Sequence, residues 1–149
     1  MGRIGIFLLL GCANISLGVP APKVTKQDLI DAELAKLQGT WKPVEFQRDG
    51  VQAPVTEVKS ITIKGRGVWC DGVEIAKITE FDPTASPKTI EYQFGSGDDD
   101  SKTQRAIYKL EGDSFIECLS RGKDARPKEF VSTKGSGHFL LKFKRVEAK

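Results

Sequence analysis

The sequence predicts an all-β fold: an eight-stranded antiparallel up-and-down barrel with a short N-terminal helix. Three observations carry this. After Gly39 the chain breaks into eight short runs rich in Val, Ile, Thr and aromatic residues, punctuated by Gly, Pro and Asp. Most connections are short and none has a helical crossover, so successive runs pair antiparallel. Most runs also alternate apolar with polar residues, which suits a sheet buried on one face. Eight such strands can curl until the first and last pair, which removes exposed edges. The interior is then just wide enough to be filled by side chains or to hold one small ligand. A two-sheet sandwich is the main rival, but its crossings need longer loops than most of these. Length and composition agree: 149 residues make about one domain, and 39% hydrophobic with 29% charged residues fits a globular chain, neither disordered nor membrane-spanning.

The elements follow in order. Residues 1–21 read as a signal peptide or lipoprotein leader. Arg3 supplies a minimal positive start, Ile4 to Leu10 form an apolar run too short to span a bilayer, and small residues follow. Leu9-Leu10-Gly11-Cys12 is similar to a lipoprotein cleavage box, which makes Cys12 a candidate for lipidation. The expected location is therefore outside the cytoplasm: periplasmic, secreted or envelope-anchored. The barrel domain then spans 22–149. Thr25, with Asp28 three residues on, is a relative of the capping box. Ile30, Leu34 and Leu37 recur at spacings of four and three, one face of a short helix.

The eight strands are read at 40–47, 58–64, 68–71, 73–81, 89–94, 103–111, 114–120 and 138–146. In the fourth, Val73, Ile75, Lys77 and Thr79 share one face. In the fifth, Ile90, Tyr92 and Phe94 oppose Glu91 and Gln93; in the sixth, Ala106, Tyr108 and Leu110 oppose Arg105 and Lys109. Glu111-Gly112-Asp113 is a hairpin turn. In the eighth, Phe139, Leu141 and Phe143 oppose Lys142 and Lys144. Residues 121–136 form the one long connection, expected as a mobile surface loop that could cross a barrel mouth.

Little here supports an enzyme. The single histidine, His138, has no second histidine and no nucleophile motif beside it, and reads as a strand-entry or turn residue. Asp98-Asp99-Asp100 lacks the spacing and distal glutamate of a calcium loop and reads as a solvated hairpin tip. Gly95-Ser96-Gly97 and Gly135-Ser136-Gly137 carry no phosphate-loop lysine, and no nucleophile elbow is present. No metal site, catalytic residue or cofactor is expected. A net charge of +3, well interspersed, argues against nucleic acid, and a membrane association is expected only through the leader or a lipid anchor. Cys70 and Cys118 form an even pair that could make a disulfide in an oxidising compartment, or could be two small buried hydrophobes on separate strands.

The aromatic set is the functional lead. Tyr92, Phe94, Tyr108, Phe139 and Phe143 fall on apolar faces and either fill the barrel or line a pocket for a small hydrophobic ligand. An interaction module of the cell envelope, with a filled barrel and Trp69 at the centre of an exposed patch, is the alternative.

Gly39-Thr40-Trp41 after a helix resembles the opening of lipocalin-like barrels. That resemblance implies that Trp41 plugs one barrel end against a basic residue near the last strand, where Arg145 stands. Further motifs are Glu33-Leu34-x-x-Leu37, Phe81-Asp82-Pro83 with Pro87-Lys88-Thr89-Ile90, Ile107-Tyr108-x-Leu110-Glu111-Gly112-Asp113, Arg126-Pro127-x-x-Phe130 and Gly135-Ser136-Gly137-His138. Together, from Ala32 to Arg145, they resemble the small lipocalin-like domains of unknown function abundant in planctomycete bacteria. The resemblance implies the barrel and carries no activity with it. Val68-Trp69-Cys70-Asp71 departs from the plainer residues expected there.

Overall fold

Thr25 sets the start of helix α1 (Lys26–Leu37), accepting from the Asp28 backbone N–H while Asp28 accepts from the Thr25 backbone N–H at 2.7 Å. That complete capping box satisfies two amides that the first helical turn would otherwise leave unpaired. The structure, a computed structural model, describes residues 18–95, 102–122 and 124–147. The leader before Gly18, Cys12 included, and the Asp98-Asp99-Asp100 run lie outside the described residues. Among those described, no helix is long and apolar enough to cross a membrane.

Nine strands follow among the described residues: β1 (Gly39–Arg48), β2 (Val51–Gln52), β3 (Ile61–Lys64), β4 (Gly67–Cys70), β5 (Val73–Asp82), β6 (Lys88–Phe94), β7 (Thr103–Glu111), β8 (Ser114–Leu119) and β9 (Phe139–Arg145). All pairings are antiparallel, and β1 pairs with β9 from Trp41–Arg145 to Arg48–Phe139, which closes the sheet. Eight strands make the barrel. The ninth, β2, is a two-residue flap folded back on β1 through Asp49 and Gly50, both with positive φ, as a tight hairpin requires. Two exposed residues offer no alternation, so the flap has no signature in the hydrophobic pattern.

The inner face of β5 differs from the expected one. Ala76, Ile78 and Phe81 are buried, whereas Lys77 and Thr79 are exposed. Register shifts leave Ile75 unmatched against β4 and Thr79 unmatched against β6. Each extra residue resets the alternation, so the strand does not keep one period-two face.

Helix α1 covers one end of the barrel. Its last residue, Leu37, and Trp41 beneath it are fully buried, and the Trp41 indole N–H donates to the Leu37 carbonyl at 2.8 Å. The Arg145 guanidinium lies 4.2 Å from the Trp41 ring centroid and donates to the carbonyls of Gln38 and Lys36 at the helix C-terminus. Gly39 makes this possible: its φ is +112°, and a Cβ there would meet Arg145 Nη1 at 3.1 Å. Behind Trp41, Phe115 contacts Tyr108 and Phe143, and Tyr108 stacks on Phe81 at 5.1 Å. This end is filled.

Over its described residues the long connection after β8 crosses no mouth. It lies on the outer face of β6–β8, where Arg126 donates to the carbonyls of the paired residues Ile90 and Ala106 at 2.8 and 2.7 Å. Ile107 and Cys118 point outward yet are buried beneath it, and the Cys118 thiol donates to the Val131 carbonyl. Cys70 and Cys118 are both free, on strands that are not neighbours. Trp69, also on the outer face, is half-buried, lying along Gly67 with Lys64 over its ring at 5.7 Å.

Candidate ligand cavity

At the end away from α1 the barrel interior is not filled. A cavity of about 140 Å³ lies between β3–β5 on one side and β6–β9 on the other. Its deep wall is Val68, Leu119, Leu141 and Phe143, all buried. Half-buried Val58, Ile61, Ile75 and Phe94 form its rim. The bulge at Ile75 turns that side chain toward the cavity rather than to solvent, and the short β3 and β4 leave Val58 to close the same side.

Two polar side chains interrupt this apolar lining at depth. Glu117 of β8 is only 4% exposed, and the Tyr92 hydroxyl of β6 donates to its carboxylate at 2.8 Å. Among the described residues no cation pairs with Glu117. Burial therefore dominates and pushes its pKa up to about 7, with the Tyr92 hydrogen bond pulling the other way. Burial, reinforced by the neighbouring carboxylate, raises the Tyr92 phenol well above its ordinary range, so it remains a donor. At neutral pH the cavity thus presents a carboxyl poised between its two protonation states. Gln104 of β7 adds an amide to the lining.

Of the expected lining residues, Tyr92, Phe94 and Phe143 stand on the cavity wall. Tyr108 does not: it is buried at the helix end against Phe81, with its hydroxyl lacking a hydrogen-bond partner among the described residues. Phe139 stacks on Phe46 at 6.0 Å instead, under the Arg121 guanidinium. Both residues keep their inward orientation and are register partners of cavity residues, Tyr108 of Glu117 and Phe139 of Leu119, but their rings pack on Phe81 and Phe46. Glu117 was not among the residues expected to matter. Its signal is present in Phe115-Ile116-Glu117-Cys118-Leu119, where alternation puts a carboxylate on the face shared by Phe115 and Leu119.

Two larger clefts lie outside the barrel. One, of about 500 Å³ beside α1, is lined by Glu33, Lys36, Lys88 and Arg145, whose charges already engage one another or the backbone. The other, of about 440 Å³, runs along the long connection past His138, whose backbone bonds Ser132 and Ser136. Among the described residues no group of three or more potential metal ligands comes together. Compared with protein-family models, curated proteins and solved structures, the chain matches none.

Proposed function

We propose that this chain is an exported, noncatalytic binding module of the lipocalin-like kind, holding one small apolar ligand inside the barrel. The observation that carries the reading is the cavity of about 140 Å³, walled by Val68, Leu119, Leu141 and Phe143. An apolar cavity of roughly 150 Å³ is enough to take up benzene, so the fitting ligand is a single ring or a short alkyl group. Rigid aromatic walls with few polar groups are the ordinary make-up of a small-molecule site. The envelope-interaction alternative is less well supported, because its anchor, Trp69, is half-buried under Lys64.

Titration with benzyl alcohol, followed by amide chemical shifts, tests the reading. Saturable shifts clustered at Val68, Phe94, Leu119 and Leu141 are expected. Ile75→Trp, which fills the rim, is expected to abolish them while the barrel stays folded. Shifts scattered over the outer surface, or none at millimolar ligand, would overturn it.

A further inference from the structure

We infer that the cavity selects small arylalkyl amines, binding the apolar body against Val68, Leu119 and Phe143 and the ammonium group at Glu117. This rests on the binding reading above and assigns the ligand its chemical class.

The argument is one of unmatched charge. A carboxylate inside an apolar enclosure is costly unless a cation or several donors face it. Among the described residues Glu117 has one donor, the Tyr92 hydroxyl, on one oxygen. Its register partner on β7 is Tyr108, a second phenol that burial keeps protonated; the neutral amide of Gln104 lies further along the lining, and the lining side chains of β3, β4, β5 and β9 are apolar. No lysine or arginine among the described residues reaches it. A ligand ammonium fits this arrangement: it supplies the missing positive charge and up to three donors, while its ring occupies the apolar wall. A carboxylate ligand is disfavoured by the like charge, and a neutral ligand leaves the carboxyl without a counterion. Since free Glu117 titrates near neutrality, a bound ammonium holds it ionised, so amine binding weakens in mild acid.

The test uses three probes of one size on the full chain: benzylamine, benzyl alcohol and benzoate, titrated calorimetrically at pH 7.5 and pH 6. Benzylamine is expected to bind at least about tenfold tighter than benzyl alcohol at pH 7.5, with benzoate weakest. Its affinity should fall about eightfold at pH 6, while that of benzyl alcohol stays flat. In Glu117→Gln the amine preference should vanish and benzyl alcohol should still bind. Should that variant not fold, the ranking of the three probes on the native chain decides. If benzyl alcohol binds as tightly as benzylamine at both pH values, the amine assignment is wrong and the apolar-ligand reading survives. If none of the three binds, both fall.

Discussion

Among the described residues two glutamates are buried, one at the helix end and one on the cavity wall, and they are treated in opposite ways. Glu33 on α1, 5% exposed, is paired with Lys36 at 3.0 Å and with Lys88. Burial alone would raise its pKa, but the two ammonium groups outweigh that and hold it below the usual carboxylate range. Glu117, 4% exposed, has only a phenol, and burial wins. Similar exposure in different surroundings, an open cleft with two ammonium groups for Glu33 and the barrel interior with one phenol for Glu117, yields a structural ion cluster in one place and a titratable, charge-hungry carboxyl in the other. The helix end is built for stability, and the far end keeps an unmet electrostatic demand beside an unfilled space.

The largest effect expected from this contrast is at Trp41. Trp41→Ala removes a fully buried indole and its bond to the Leu37 carbonyl, and should cost about 3–5 kcal/mol in urea unfolding. Phe94→Ala, at the half-buried rim, should cost less than half of that. Equal losses would mean that the two ends share the stabilising work and that the contrast is false.

The pH dependence of stability is next. The native pKa of Glu117, about 7, lies above its ordinary value of 4.5, so the folded state binds more protons between those limits. Stability from this group is therefore greatest below pH 4.5 and declines as pH rises to about 7, levelling above. The difference between the native chain and Glu117→Gln should change by about 3 kcal/mol between pH 4 and pH 8. Parallel stability curves for the two proteins would show that Glu117 is solvated after all.

Arg145→Met should cost about 2 kcal/mol, because the apolar stem remains while the bonds to Gln38 and Lys36 and the ring contact are lost. The distinguishing readout is local. Amide exchange should quicken in α1 and leave β6–β8 unchanged; a uniform increase would sever Arg145 from helix docking.

The same contrast explains which parts were legible in the sequence. The helix end was readable because its parts carry strong local signals: Thr25 with Asp28, Gly39 before Trp41, and an arginine in the last strand. The barrel was readable from alternation in 89–94, 103–111 and 138–146. Alternation failed where bulges reset it, at Ile75 and Thr79, since an unpaired residue has no compositional mark. It also could not tell which inward aromatics pack on other rings and which border the open space. Tyr92 and Tyr108 look alike on adjacent strands, yet one lines the cavity and the other packs at the helix end. Whether a space is left open depends on strand tilt and on eight strands closing at once, which no single segment encodes.

The two phenols supply the smallest and most discriminating comparison. Both are buried, and both have pKa values raised chiefly by burial. Tyr92 donates to Glu117, whereas the Tyr108 hydroxyl has no partner among the described residues. A buried hydroxyl without a partner carries a desolvation cost that its removal relieves, whereas removing one side of a made bond strands the other. Tyr108→Phe should therefore be neutral or stabilising by up to about 1 kcal/mol, with its stacking on Phe81 intact. Tyr92→Phe should destabilise by about 1–2 kcal/mol at pH 8 and less at pH 5, where Glu117 is protonated. Equal losses at both positions would mean that the Tyr108 hydroxyl is bonded through a buried water and that the filled end hides a polar site of its own.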